Sequence, residues 1–235
     1  MKPFRYLAGA AWPIVLLIFA TGVASAQEES VQPGVNKRFK DAEIVDFVET
    51  FEREGREVYD RREEIVEALG IEPGMQVADV GAGTGLFTRL LSPKVGAEGK
   101  VYAVDIAEAF ARGVEADCRD RGMNNVEGVV CTDKSVELPA ESIDLAFISD
   151  TYHHFEYPLE TMRSIHRALR PGGRVVVIDF RRIQGESTEW TMNHVRAGED
   201  VFIKEIESVG FKLVETSKLL KENYLLFFEK AGAIP

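Results

Sequence analysis

A glycine-rich turn and a nearby carboxylate are the residues in this chain best suited to binding a small ligand. The turn, Asp79-Val80-Gly81-Ala82-Gly83-Thr84-Gly85, follows a short apolar segment. Its glycines stand at alternate positions, which lets the backbone turn sharply and approach a ligand closely. Asp105 ends the next apolar segment, where a carboxylate can accept two hydrogen bonds from a ribose diol. The pattern predicts a nucleoside site.

The spacing of the glycines separates two classes of nucleoside ligand. The dinucleotide fingerprint is Gly-x-Gly-x-x-Gly, whereas the third glycine here comes one residue early. Asp79 also stands beside the turn, and a carboxylate suits a cationic amino group better than a pyrophosphate. The sequence therefore favours a nucleoside with an amino-acid tail, S-adenosylmethionine (SAM), over a nicotinamide dinucleotide.

Alternating strand and helix patterns must position this turn. Strands are predicted at 76–80, 101–105, 126–131, 143–148, 174–180, 211–216 and 224–229. Helices are predicted between most of these strands, at 84–91 (stopped at Ser92-Pro93), 108–121, 159–169 and 201–209. Strands separated by helices indicate a parallel sheet with helices on both faces. The last connection, 217–223, is too short for a parallel crossover, so the final two strands pair antiparallel. The expected fold is an α/β, Rossmann-like doubly wound sheet, mostly parallel with an antiparallel final strand.

Several segments in order resemble class I SAM-dependent methyltransferases, most closely the small-molecule enzymes of ubiquinone and menaquinone biosynthesis. They are Val77 to Gly85, Asp105, Asp133, Ile143 to Phe147 with His153-His154, and Leu169 to Arg174. The resemblance covers about residues 56–230. It implies SAM as the cofactor and a small molecule as the methyl acceptor, and the acceptor itself stays open.

The resemblance also implies a role for each cofactor-binding candidate. The backbone of Gly81, Ala82 and Gly83 would pass under the methionine part of SAM, and Asp79 would orient this turn or meet the amino group. The ribose and adenine contacts would come from Asp105, Ile106, Thr132 and Asp133. The alternatives are a generic tight turn for the glycines and a helix N-cap for Asp105. Replacing Asp105 with Ala is expected to weaken SAM binding with little change in stability.

Candidate catalytic residues follow the fourth predicted strand. Methyl transfer needs alignment, and a base when the acceptor carries a proton. His153 is the candidate base, and Tyr152 is a second catalytic candidate. His154 is expected to be the packed partner of His153. The alternative is that His153 only packs. Apart from the adjacent His153-His154, the four histidines and two cysteines show no ligand spacing, and adjacent side chains generally point apart, so no metal site is predicted.

The N-terminus has the three-part pattern of a secretory signal peptide. Lys2 and Arg5 precede the apolar segment 7–23, and Ala24-Ser25-Ala26 supplies a cleavage site. Cleavage after Ala26 would export the chain, to the periplasm in a bacterium with two membranes, without a stable membrane span. An uncleaved anchor is the alternative. The predicted domains are the signal peptide 1–26, a flexible lead-in 27–36, a helical cap 37–70 and the methyltransferase domain 71–230.

The composition limits which kinds of partner the chain is expected to bind. The net charge of −11 argues against nucleic-acid binding, which requires clustered positive charge. The two cysteines exclude a disulfide scaffold, and Cys118 and Cys131 are predicted to be reduced, buried thiols. The oligomeric state stays open. Because SAM is made in the cytoplasm and the leader directs export, a non-catalytic exported protein that binds a nucleoside-like ligand is the alternative to an enzyme.

Overall fold

One seven-stranded sheet organises the computed structural model, which describes residues 27–40 and 43–232. The strands are β1 Gln76–Val80, β2 Lys100–Asp105, β3 Val126–Val130, β4 Ile143–Ser149, β5 Leu169–Phe180, β6 Phe211–Ser217 and β7 Asn223–Lys230. They lie in the order β3-β2-β1-β4-β5-β7-β6. β7 is antiparallel to β5 and to β6, and the other pairs are parallel. The predicted fold is confirmed.

Helices cover both faces of this sheet. They are α1 Lys37–Lys40, α2 Val45–Phe51, α3 Glu57–Asp60, α4 Arg62–Ala68, α5 Leu86–Val95, α6 Glu108–Asp120, α7 Pro158–Ala168, α8 Glu189–His194 and α9 Glu199–Ser208. Alternate residues of a strand face opposite sides, so the core divides in two. Along β4, Ala146 and Ile148 pack with α7 and α9, whereas Leu145 and Phe147 pack with α4 and α5.

One helix runs past its predicted end, and one connection contains a helix that was not predicted. The sequence predicted that the helix after the glycine turn stops at Ser92-Pro93, but α5 runs through Pro93 to Val95. Leu91 and Val95 are both fully buried, so packing on the sheet holds the last turn despite the proline. The connection at 181–196, for which no helix was predicted, contains α8. Thr188 Oγ1 caps α8 by accepting the Thr191 backbone N–H at 3.1 Å.

The segment before α1 is anchored, which differs from the predicted flexible lead-in. The Val31 backbone N–H donates to the Glu156 carbonyl at 2.9 Å, and the Asn36 side-chain amide donates to the His154 carbonyl at 3.0 Å. The predicted signal peptide lies outside the described residues. Within the described part of the chain, no helix has the length and apolar character needed to cross a bilayer.

The two cysteines are free, as predicted, but only Cys118 is fully buried. Cys118 lies on α6 beneath the sheet, whereas Cys131 follows β3 and is partly exposed. Burial raises the pKa of Cys118 to about 11 and that of Cys131 to about 12. Both thiols are therefore protonated, and poorly nucleophilic, at neutral pH.

Candidate active site

A cavity of about 950 Å³ opens at the carboxyl ends of the central strands. These strands meet where the strand order reverses, between β1 and β4, which is where open α/β sheets bind ligands. Every residue predicted to bind the cofactor lines this cavity: Asp79, Gly81, Ala82, Gly83, Asp105, Ile106, Thr132 and Asp133. The candidate base His153 lines it as well. The fold thus brings both groups of predicted residues to one site.

The glycine turn fits closely against the loop after β4. Gly81 has a φ of 75°, and a Cβ built on it would lie 2.2 Å from Thr151 Cγ2. Gly83 has a φ of 53°, and a Cβ there would meet the Phe51 ring at 3.4 Å. Both the backbone conformation and the lack of space require glycine at Gly81. The close approach places the turn directly beside the segment that carries His153.

The Asp105 carboxylate joins three elements. Its Oδ2 accepts the Gly83 backbone N–H at 2.9 Å, and its Oδ1 accepts the Ala107 backbone N–H at 2.9 Å. Ala107 is the N-cap residue of α6, so Asp105 supports that helix without being its N-cap. Each carboxylate oxygen has a further lone pair, which leaves Asp105 able to accept hydrogen bonds from a ligand in the cavity.

Asp79 and Asp105 are two poorly solvated carboxyl groups at the same end of the cavity. Asp79 is 3% exposed, and its Oδ2 accepts the Thr88 hydroxyl at 2.6 Å. Burial raises the pKa of Asp79 to about 6 and the pKa of Asp105 to about 6. Buried carboxylates without a cationic partner are unfavourable, so a positively charged ligand at this end would be stabilised.

His153 is held in a fixed orientation by Asp179 of β5. It lies in a short 3-10 helix, Tyr152–His154, and is 1% exposed. Its Nδ1 lies 2.8 Å from Asp179 Oδ1, and its backbone N–H donates to Asp179 Oδ2 at 3.0 Å. This pairing fixes Nδ1 as the donor and leaves Nε2 with a lone pair, the arrangement of an oriented base. Among the described residues, Nε2 has no hydrogen-bond partner.

Tyr152, the second catalytic candidate, is not among the residues that line the cavity. Its side chain is fully buried in the core against Phe155 and Phe202, and its hydroxyl lies 3.1 Å from Glu205 Oε2. Arg196 also binds Glu205, with 2.6 Å between Nη2 and Oε2. The 3-10 turn directs Tyr152 and His153 to different sides, which adjacent positions in a sequence do not reveal.

Residues of α8 also line the cavity beside His153. His194, at the end of α8, has its ring centroid 5.0 Å from that of His153 and 5.1 Å from that of His154. Trp190 stacks on His194 at 4.5 Å. The sequence suggests the connection 181–196, which contains Trp190 and His194, as a second acceptor-side region, with an ordinary surface loop as the alternative. Asp179 was missed, although a lone carboxylate in the apolar strand 175–180 requires a buried partner.

Comparison with known proteins agrees with this geometry. A family model described as a methyltransferase domain matches residues 78–177. A SAM-dependent methyltransferase from Aquifex aeolicus has the same fold, with a TM-score of 0.71 and 24% identity over 79% of this chain and 98% of that one. Residues 78–177 match a methyltransferase domain, and the chain has the fold of a SAM-dependent methyltransferase. The cofactor that such a domain implies is SAM.

The proteins that resemble this chain are named for different reactions. The ubiquinone/menaquinone biosynthesis C-methyltransferases UbiE of Shewanella sp. (strain W3-18-1) and Shewanella baltica (strain OS155 / ATCC BAA-1091) are 32% identical over 122 residues, 52% of this chain. The chain matches about half of their length, 49%. The [4+2]-cyclase SpnF shares the fold, with a TM-score of 0.64 and 16% identity over 77% of this chain and 85% of SpnF.

Three observations indicate that the cavity suits SAM. The glycine turn leaves no space for a Cβ at Gly81 and runs along the cavity wall. Asp105 keeps lone pairs for a ribose diol, and Asp79 with Asp105 supplies carboxylates for a cationic tail. When bound, SAM supplies a methyl group made electrophilic by its sulfonium sulfur.

The raised pKa values of Asp79 and Asp105 predict a pH dependence for SAM binding. The ionised carboxyls accept the ribose hydroxyls and attract the cationic tail, so binding is coupled to proton release below about pH 6. Affinity should be constant above about pH 6 and fall below it by roughly tenfold per pH unit for each linked carboxyl. Calorimetry between roughly pH 5 and 7.5, with circular dichroism to confirm folding, tests this. Affinity that stays level or improves towards acid would contradict it.

Proposed function

We propose that this domain transfers the methyl group of SAM to a small-molecule acceptor in an extracytoplasmic compartment. The observation that carries the proposal is a single cavity with two chemically distinct ends. The glycine turn with Asp79 and Asp105 forms the cofactor end, and the Asp179–His153 pair forms the acceptor end. Thr151 packs on Gly81 between them.

The chain's residues would contribute alignment and acceptor activation. In the proposed reaction, a nucleophilic oxygen, nitrogen, sulfur or carbon atom of the acceptor would form a bond to the methyl carbon, and the carbon–sulfur bond would break with its electron pair left on sulfur. Holding the acceptor in line with that bond converts an encounter into a unimolecular step. His153, oriented by Asp179, would act on the proton that a hydroxyl or thiol acceptor must lose.

A small acceptor is supported by the size and walls of the cavity. Its volume lies within the range of about 300–1,000 Å³ typical of small-molecule sites, and SAM would occupy part of it. Phe180 and Trp190 form an aromatic wall beside His194. The reaction named for the UbiE relatives concerns quinones, which favours a flat, apolar acceptor for this site. The net charge of −11 disfavours nucleic acid as the acceptor.

Export is supported by the leader pattern at residues 1–26. The intact mass of the chain after expression in a bacterium with two membranes tests it, together with fractionation of the cells. A periplasmic product that begins at Gln27 is expected. A cytoplasmic product that still carries Met1 to Ala26 would contradict export while leaving the methyl-transfer proposal standing.

A second candidate function keeps the fold and the nucleoside ligand without methyl transfer. The SpnF cyclase supports it, because one fold can host another reaction. Two measurements separate the candidates: calorimetry with SAM and with NAD, and transfer of a labelled methyl group to phenols, quinones, amines, thiols and carboxylates. Methyl transfer requires SAM binding and a labelled product. SAM binding without any product favours the second candidate, and no binding at millimolar SAM excludes the first.

A further inference from the structure

Three of the four histidines in the chain meet at the acceptor end of the cavity. His153 and His154 come from the 3-10 helix after β4, and His194 comes from the end of α8. One ring nitrogen of each lies within 4.8 Å of those of the other two. The expectation that adjacent histidines point apart is wrong here, because the rings of His153 and His154 are 4.3 Å apart between centroids.

Two nitrogens of this histidine cluster are buried without a partner among the described residues. They are Nε2 of His153 and Nδ1 of His154. A buried polar atom that makes no hydrogen bond costs about 1–3 kcal/mol, so such atoms call for an explanation.

Asp179 contacts the ring nitrogen of His153 that would not bind the metal. Metal-binding histidines usually donate their second ring N–H to a carboxylate, which fixes the ring and raises its basicity. Asp179 Oδ1 lies 2.8 Å from His153 Nδ1, on the side of the ring opposite the unpartnered Nε2. Asp179 is itself fully buried and accepts the Phe180 backbone N–H at 2.8 Å. The carboxylate is thus placed to orient a ligand.

We propose that His153, His154 and His194 bind a divalent transition metal, with Zn²⁺ as the ion this ligand set suits best. Three histidines with a fourth position left open form the ligand set of catalytic zinc sites. Zn–N bonds of about 2.0–2.1 Å in a tetrahedron place ligand nitrogens roughly 3.4 Å apart. Modest rotations of side chains that already lie within 4.8 Å reach this spacing. All three residues line the cavity, so the fourth position faces the acceptor.

The role of this metal rests on the proposed methyl transfer, although its binding does not. An acceptor oxygen or sulfur that takes the fourth position has its pKa lowered, releases its proton to solvent, and keeps the electron pair that bonds to the methyl carbon. The metal neither gains nor loses electrons. In this arrangement His153 activates the acceptor as a metal ligand, together with His154 and His194.

Zinc titration of the protein purified from expression of the full chain tests the site. After treatment with a chelator, the wild type is expected to bind one Zn²⁺ per chain at micromolar or tighter affinity. His194→Ala, at a partly exposed position, should weaken binding at least about a hundredfold. Asp179→Asn should weaken it roughly 10–100-fold, because the carboxylate behind His153 is lost. His166→Gln is the matched control, since this fourth histidine packs on Phe211 away from the cavity.

SAM calorimetry on the same proteins keeps the two proposals separable. A His194→Ala protein that binds SAM normally but no longer binds Zn²⁺ supports the metal site, because SAM binding shows that the variant is folded. If this variant does not bind SAM, His154→Ala is titrated in its place. No Zn²⁺ binding by the wild type, or equal binding by the His194 and His166 variants, overturns the metal site and leaves the methyltransferase proposal intact. A wild type that binds Zn²⁺ but not SAM supports the metal site and overturns the methyltransferase proposal.

Discussion

Replacing His153 with Ala is expected to lower kcat by roughly 10²–10⁴ on a hydroxyl or thiol acceptor. The loss follows whether Nε2 takes the proton directly or binds a metal that lowers the pKa of the acceptor. SAM affinity should stay close to that of the wild type, because His153 is not among the predicted cofactor-binding residues. Stability should fall by about 1–3 kcal/mol, since the buried Asp179 loses its ring partner.

Two further variants make the His153 result specific. Tyr152→Phe is the matched control: its hydroxyl contacts Glu205 outside the cavity, so turnover should be retained at a cost of about 1 kcal/mol in stability. His194→Ala distinguishes the two forms of activation, because it should lower kcat only if a metal is involved. Steady-state kinetics on the acceptor identified by the label screen provides the measurement. Near-normal turnover of His153→Ala would remove this residue from acceptor activation.

Replacing Asp105 with Ala is expected to weaken SAM binding by roughly one to two powers of ten. The carboxylate would lose its hydrogen bonds to the ribose, and bonds to a charged group contribute about 1.5–3 kcal/mol. Calorimetry at neutral pH measures the change. Asp120→Ala, at the exposed end of α6, removes the same charge away from the cavity and should leave the affinity unchanged. Unaltered SAM affinity in Asp105→Ala would exclude Asp105 from the site.

The structure adds a stability cost to the Asp105 substitution that the sequence did not predict. A carboxylate at the end of a strand was expected to matter little for folding. Asp105 instead accepts the backbone N–H groups of Gly83 and Ala107, and each would lose its partner at about 1–3 kcal/mol. Urea unfolding of the variant should therefore show a marked loss, and Asp105→Asn, which keeps one carbonyl acceptor, should lose less.

The fold could be predicted from the sequence because its signals are local. Alternating patterns located all seven strands, and the short connection 217–223 required the antiparallel ending that β6 and β7 adopt. The glycine turn and Asp105 were recognised together because parallel strands end at the same edge of a sheet, so residues after β1 and β2 must converge. The end of α5 was predicted wrongly, because packing on the sheet keeps the helix intact through Pro93 despite the low helix propensity of proline.

The acceptor end depended on tertiary structure. His153, Asp179 and His194 are separated by 26 and 15 positions, and only the passage from β4 through α7 and β5 to α8 brings their side chains together. The 3-10 turn then decides that His153 and His154 face the cavity while Tyr152 faces the core. Sequence periodicity specifies which residues are buried in a regular element, but it carries no information about side-chain directions in a single irregular turn or about contacts between distant loops.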